Sequence, residues 1–303
     1  MTGFNSKSMI PITKGWSGDK KYCITVADGN KYLLRISPAD KHDTKKIEFE
    51  MMQRVAALGV PMCQPIEFGI CDEGVYVLQG WIEGKDAEEV VSLLSEQEQY
   101  EYGLEAGQIL NLIHSVPTAP IQEDWDARFQ RKIDRKIQMY EDCPIKYEKG
   151  QAFLNYINSN RHLLKDRPQC FQHGDYHIGN MMIRDDDKLQ IIDFDRSDYG
   201  DPWEEFNRIV WCAQKSTLFA TGMVNGYFNY DVPFDFWRLL ALYISCNTLS
   251  SIPWAIPFGQ GEIDTMINQA NTVLQWYNDM KNSVPTWYKE TTRFGLEVAE
   301  DMM

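Results

Sequence analysis

The chain has no Cys-x-x-Cys pair. Its cysteines, Cys23, Cys63, Cys71, Cys143, Cys170, Cys212 and Cys246, are odd in number and scattered. They suggest neither a structural zinc site nor a dithiol redox motif, and free thiols in a reducing cytoplasm are expected. No apolar run nears the ~18 residues of a membrane span. The longest, Leu239–Cys246, is far too short. A charged start followed by an apolar stretch is also missing, which argues against a secretory leader. Basic residues are scarce, with 30 Lys and Arg against 44 Asp and Glu, net −14 over 303 residues. The pI is near 4.8. That balance argues against a protein that coats nucleic acid, whose phosphates need a basic face, while leaving room for a local basic pocket; with no apolar span, no membrane partner is expected either. There is no internal repeat and no low-complexity tract.

The missing basic charge is unevenly spread. Residues 1–83 hold 10 basic and 10 acidic side chains, whereas residues 84–303 hold 20 and 34. The entire excess of −14 therefore lies in the last two-thirds, as a solvated surface or as a cleft that attracts a cation.

Organisation changes at the same place. Lys21–Ala27 and Lys31–Ile36 flank Asp28-Gly29-Asn30, a hairpin signal. Ile47, Met51, Val55 and Leu58 recur at helical spacing before Gly59 and Pro61. Ile66–Ile70 and Val75–Gln79 flank a second turn, giving three strands, a helix and two strands. After Gly84 the chain reads as helical. Ser95-Glu-Gln-Glu98 is a capping box for a helix to about Ser115. Further helices are predicted at about 125–141, 150–164, 202–214, 234–249 and 262–281, with short strands in 170–195. Domains are thus expected at 1–83, with a hinge near 78–84, and at 84–303.

The densest chemistry is Phe171-Gln-His173-Gly174-Asp175, then Asn180, then Ile191-Ile-Asp193-Phe-Asp195 and Gly200-Asp201-Pro202. Met181–Ile183 and Leu189–Ile192, on either side of Arg-Asp-Asp-Asp-Lys, predict a hairpin with Asn180 and Asp193 at its open end. One carboxamide and one carboxylate suit Mg²⁺, which completes its shell with water and phosphate. Asp175 is left to accept a proton from an attacking hydroxyl, the protein-kinase division of labour. His173 and His177 are expected to be structural, and Asp201 and Glu205 to hold the following helix against the loop.

On His173-Gly174-Asp175-x4-Asn180 and Ile192-Asp193-Phe194, with Gly200-Asp201-Pro202 behind them, the chain resembles the aminoglycoside phosphotransferase family, which includes choline-kinase-like and other small-molecule kinases. Gly174 and Asp195 replace the Arg and Gly usual in protein kinases, which points to the small-molecule branch. The resemblance implies a two-lobed protein-kinase-like α+β fold: an N-terminal antiparallel sheet with one helix, then a larger, mainly helical C-terminal lobe.

It also implies a nucleotide clamp in the first 84 residues. Gly15, Ser17 and Gly18 form a short loop able to approach phosphate. Arg35 stands where protein kinases carry the strand-three Lys, and can bind phosphate bidentately. Its expected partner is Glu48, with Glu50 the competitor ~200° round the helix. Backbone groups of Gly80 and Ile82 would receive the base. The implied reaction moves the γ-phosphoryl group of ATP, or GTP, with Mg²⁺ to a hydroxyl of a small molecule. An aminoglycoside-type cationic antibiotic fits the acidic C-terminal part, implying antibiotic resistance. Choline or ethanolamine, a sugar or a macrolide are the alternatives, as is a non-catalytic nucleotide-binding protein. Candidate acceptor residues are Asp198, Glu204, Asp231, Asp235, Glu262 and Asp264, with Trp203, Trp237 and Trp254 as cation cages or core, under an irregular roof at 250–261.

Overall fold

The computed structural model describes residues 6–13, 18–118 and 122–290. Its strands β1 (Ser6–Ile12), β2 (Lys20–Val26) and β3 (Lys31–Ser37) precede helix α1 (His42–Ala57), and β4 (Pro65–Cys71), β5 (Gly74–Gly80) and β6 (Gly84–Asp86) follow it. The first five strands form an antiparallel sheet in the order β1-β2-β3-β5-β4. Gly29 sits at φ 91° in the β2–β3 turn, and the Asp28 carboxylate accepts the Asn30 N–H at 2.9 Å. That turn sets the register, placing Lys21 opposite Arg35. Ile24, Leu34, Ile36 and Leu78 are the buried seam.

Helix α1 is where expected, but its buried face is not. Phe49, Met51, Met52 and Val55 are buried, whereas Ile47 is 62% and Leu58 42% exposed. The inward arc is turned toward Phe49 and Met52, which pack against the sheet side of the helix in place of the expected ends of the stripe.

The remaining elements are α2 (Ala87–Val90), α3 (Glu96–His114), α4 (Trp125–Asp142), α5 (Gly150–Asn160), β7 (Cys170–Gln172), β8 (Met181–Arg184), β9 (Leu189–Ile191), β10 (Asp198–Gly200), α6 (Ile209–Lys215), α7 (Thr217–Phe228), α8 (Phe234–Ala255) and α9 (Gln260–Trp276). The Ser95–Glu98 capping box is formed. Helix α7 is absent from the sequence reading, and residues 250–261 are not an irregular roof. Helix α8 runs through Pro253 to Ala255, a 3₁₀ turn covers Ile256–Phe258, and α9 begins at Gln260. The stretch Phe234–Phe258 is long and apolar enough to cross a membrane, yet 67% of its most apolar window is buried in protein, as a core helix would be.

The chain divides into two compact units: 1–87 with 180–197, and 88–179 with 198–303. This differs from the expected single cut after residue 83. The reason is β-pairing at a distance. Strand β6 pairs with β8, Gly84 opposite Arg184, and β8 pairs with β9. The hairpin that follows Asn180 therefore belongs to the first unit. The second unit is mainly helical, with the short β7–β10 pair, Cys170 opposite Gly200. The α+β class, with an antiparallel N-terminal sheet and a helical C-terminal part, is as expected.

Candidate active site

In the first unit the charged groups gather on Arg35. Its side chain is only 8% exposed. Nη1 donates to Asp193 Oδ1 at 2.7 Å, and Nη2 to Asp195 Oδ2 at 2.7 Å and Asp19 Oδ2 at 3.1 Å. Burial works against the guanidinium charge, but Asp195, Asp193 and Asp19 outweigh it and raise its pKa further. Burial likewise pushes the Asp193 carboxyl up, and Arg35 holds it, on balance, below the usual carboxylate range. Asp193 sits at φ 69°, a left-handed conformation that Asp tolerates better than most residues and that clusters at functional sites.

The expected Arg35–Glu48 pair is not formed. Glu48 Oε2 accepts Lys45 Nζ at 2.8 Å, and Lys45 also lies 3.4 Å from Asp19. Burial raises the Glu48 carboxyl despite Lys45. Two carboxylates close by on the 193–195 segment, and a third at Asp19, take the guanidinium before Glu48 can. Glu48 does face inward, and Glu50 is exposed. Asp19 also accepts Ser37 Oγ at 2.7 Å. A small cavity of about 20 Å³ is lined by Asp19, Arg35, Lys45, Glu48 and Asp195 among others.

Asn180 and Asp193 stand at one end of the β8–β9 hairpin, where the Asn180 carbonyl accepts the Ile192 N–H at 3.0 Å. Among the described residues no three His, Cys, Asp or Glu converge as a metal site. A carboxamide and an ionised carboxylate are hard oxygen donors, a set that fits Mg²⁺ only with water or phosphate oxygens completing the shell. Gly18 precedes Asp19 in open space, whereas Gly15 and Ser17 lie outside the described residues. Gly80 donates its N–H to Gln64 O at 2.8 Å. Gly80 and Ile82 border a cavity of about 680 Å³ lined also by Gly59–Gln64 and Gln190, with none of Arg35, Asn180 or Asp193 on its wall.

The second unit holds Asp175. Its loop leaves β7 through buried His173 and through Gly174 at φ 87°. The Glu205 carboxylate fixes the loop by accepting Gly174 N–H at 3.0 Å and Tyr176 N–H at 3.3 Å. Tyr176, fully buried, donates its hydroxyl to Ala106 O at 2.7 Å. Asp201, also fully buried, accepts Arg167 Nε at 2.7 Å, Tyr243 Oη at 2.6 Å and Trp203 N–H at 2.9 Å. His177 Nδ1 accepts the Gly179 N–H at 3.1 Å. Burial holds its imidazole below the usual histidine range, against the pull of Asp175. The expected structural roles of Asp201, Glu205 and the two histidines agree with this geometry. Arg208 Nε lies 3.2 Å from Asp175 Oδ1, a cation that the sequence reading did not single out.

Three of the six candidate acceptor carboxylates stand in ion pairs. Asp198 is paired with Arg128 at 2.6 Å, Glu204 with Lys132 at 2.9 Å and Asp235 with Arg238 at 3.0 Å. Trp203 is covered by the Arg167 guanidinium, 3.7 Å from the ring centroid. Trp237 is buried, while Trp254 is 42% exposed.

Solved structures similar to this chain include the GDP complex of wild-type aminoglycoside 2′-phosphotransferase-IIIa, at 16% identity and TM-score 0.66 over 89% of this chain and 93% of that one. Aminoglycoside phosphotransferase APH(4)-Ia matches at 14% and 0.63 over 88% and 93%. The amicoumacin kinase hAmiN, in complex with AMP-PNP, Ca²⁺ and Ami, matches at 12% and 0.65 over 94% and 92%. These likenesses show the fold. No curated protein matches the chain. The phosphotransferase enzyme family (APH) matches residues 8–240, well over half of the 303, and the chain therefore belongs to that family.

Proposed function

We propose that this small-molecule phosphotransferase moves the γ-phosphoryl group of ATP, or GTP, to an acceptor hydroxyl with Mg²⁺. The observation that carries the reading is the meeting of Arg35 with Asp193 and Asp195 at 2.7 Å each. It joins the strand-three cation to the carboxylate of the metal motif. Asn180 and Asp193 would hold Mg²⁺, which supplies positive charge against the phosphate oxygens. Arg35 neutralises charge on the triphosphate, with Gly15, Ser17 and Gly18 as backbone and hydroxyl donors and the Gly80–Ile82 stretch receiving the base. Asp175 orients the acceptor hydroxyl and takes its proton. A new P–O bond forms to the acceptor oxygen, the bond to the β-phosphate oxygen breaks, and ADP or GDP leaves. Positioning and charge neutralisation supply most of the rate.

An aminoglycoside-type cation as acceptor is supported by the net charge of −14 and by neighbours whose names carry aminoglycosides. Whether the role is antibiotic resistance or metabolism follows from which acceptor turns over. A cytoplasmic setting is supported by seven cysteines, all free.

The test is nucleoside diphosphate release with Mg²⁺ across aminoglycosides, macrolides, choline, ethanolamine and sugars. Asp175→Asn is the control. Turnover with one acceptor class, reduced at least about a hundredfold in the variant, is expected. Turnover that survives in Asp175→Asn removes the role given to Asp175. No turnover and no thermal shift with Mg–ATP or Mg–GTP removes the reading.

A further inference from the structure

The loop that carries Asp175 hangs on one buried carboxylate. Glu205 is 2% exposed. Its Oε1 accepts Gly174 N–H at 3.0 Å and Tyr176 N–H at 3.3 Å, and its Oε2 accepts Gly174 N–H at 3.1 Å. Those amides lie on either side of Asp175, so the backbone that presents Asp175 stands where Glu205 puts it. A carboxylate taken out of water is costly unless charge and hydrogen bonds answer it. Among the described residues, the one basic side chain within ion-pair distance of Glu205 is His114, whose Nε2 lies 3.8 Å from Oε2.

His114 is the last residue of α3, and its side chain is 4% exposed. Its Nε2 is buried and has no hydrogen-bond partner among the described residues. Buried polar atoms are rarely left so. The other ring nitrogen fixes its state. His114 Nδ1 lies 2.9 Å from the Tyr227 hydroxyl. Burial pushes the Tyr227 phenol well above its usual range, so it keeps its proton. A buried hydroxyl donates where an acceptor is at hand, and Nδ1 is that acceptor. The hydrogen-bond network thus assigns the imidazole proton to Nε2, on the Glu205 side. Tyr227 is itself pinned. A Cβ on Gly107 of α3 would lie 2.6 Å from Tyr227 N, and Asn111 Nδ2 donates to Tyr227 O at 3.2 Å. The Tyr227 and His114 rings meet edge to face with centroids 5.5 Å apart.

We propose that His114 is a positioning residue for phosphotransfer: held by Tyr227, it braces Glu205, and through Glu205 the loop that presents Asp175. This deepens the phosphotransfer reading and rests on it. At 3.8 Å the imidazole acts through its field in a low-dielectric interior rather than through a formed hydrogen bond. Contacts of this kind tighten when a site is loaded. His114 touches neither nucleotide nor acceptor in this account. Its loss is therefore expected in kcat and not in nucleotide affinity, which depends on groups of the other unit such as Arg35.

The experiment compares the full chain with His114→Leu, His114→Gln and Tyr227→Phe. Gln keeps an N–H donor for Glu205, and Leu keeps none. Steady-state kinetics use Mg–ATP and the acceptor class that turns over. His114→Leu is expected to lower kcat at least about tenfold with the KM for Mg–ATP within about twofold, and His114→Gln to recover most of the loss. Tyr227→Phe, which removes the lock on the tautomer, should fall between them. Deuterium exchange of the Gly174 and Tyr176 amides should speed at least about tenfold in His114→Leu and change little in His114→Gln. A merely structural histidine would lower the melting temperature in both His114 variants and leave the kcat of the folded enzyme alone. The proposal is overturned if folded His114→Leu keeps its kcat, if His114→Gln loses as much as His114→Leu, or if the two amides exchange no faster. Should His114→Leu fail to fold, wild-type kcat and wild-type amide exchange in Tyr227→Phe overturn it. Amide exchange needs no acceptor, so it decides for or against the brace even before an acceptor is in hand. Absence of turnover and of any Mg–ATP thermal shift in the wild-type chain is a separate result. It removes the phosphotransfer reading, and the positioning role falls with it.

Discussion

At the scale of the residue, Arg35 shows why a cation at this position is not interchangeable. Its planar fork reaches Asp193 and Asp195 from separate nitrogens, and Nη2 reaches Asp19 as well. A lysine there has one compact charge and cannot span the three. Arg35→Lys is expected to raise the KM for nucleotide about tenfold or more, seen in steady-state kinetics with acceptor saturating. An unchanged KM removes Arg35 from the triphosphate. Lys136 gives a second prediction, in stability. Burial lowers its folded pKa to about 8, below the ordinary lysine value of about 10.4, so the unfolded chain binds more protons between those values. Stability contributed by this group therefore rises as pH climbs from about 8 to about 10.5, and at pH 7 the charged lysine destabilises the fold. Lys136→Met is expected to raise unfolding free energy at pH 7 by about 1–2 kcal/mol. The gap between variant and wild type should narrow toward pH 10. Urea titrations at both pH values check it, and a variant that loses stability at pH 7 refutes it. Much of this scale was readable beforehand. The Asp28–Asn30 turn fixes Lys21 opposite Arg35, which by continuation sets Asp19 across from Ser37, its hydrogen-bond partner. Glu48 was the natural partner for Arg35 by family resemblance. No local pattern reveals that residues 193–195, over 150 positions away, would supply two nearer carboxylates.

At the scale of the element, packing decided what periodicity could not. Helices α3 and α7 meet through glycines. A Cβ on Gly107 would lie 2.1 Å from Met223 O and 2.6 Å from Tyr227 N, and one on Gly226 would lie 2.1 Å from Leu104 O. These neighbours are backbone and have no side chain to swing away. Gly107→Ala is expected to cost about 3 kcal/mol or more by overpacking, read as a lower urea midpoint. Gly261, near the start of α9, has nothing within 4 Å of its would-be Cβ. Gly261→Ala should instead stabilise by about 0.4–1 kcal/mol. Equal effects would refute the close helix contact. The same contact explains why α7 escaped the sequence reading. Gly222, Gly226 and the β-branched Thr217, Thr221 and Val224 are poor helix formers. Its helix is imposed by the glycine-lined fit to α3. The capping box of α3 and the hairpin before Asp193 were legible because their signals are local.

At the scale of the whole molecule, the composition shift near Gly84 suggested a boundary that the chain does not respect. Residues 180–197 belong with residues 1–87. Strand β6 finds its partner only in β8, and Met62 bridges to Ile191. Arg35 likewise finds two of its three carboxylates in the returning segment. A fragment of residues 1–87 therefore leaves β6 unpaired and a buried guanidinium short of counter-charge, each unfavourable. We predict that this fragment lacks a cooperative unfolding transition and shows poorly dispersed amide resonances. Fusing residues 180–197 to it through a flexible linker should restore both. Replacing Asp193 and Asp195 by alanine in the fusion should undo part of the gain, by about 3 kcal/mol or more if the guanidinium stays buried. Calorimetry and amide spectra of the three fragments make the comparison. A fragment of residues 1–87 that folds cooperatively by itself would mean that the sheet and α1 suffice, and that the returning hairpin contributes carboxylates without being needed for the unit to fold.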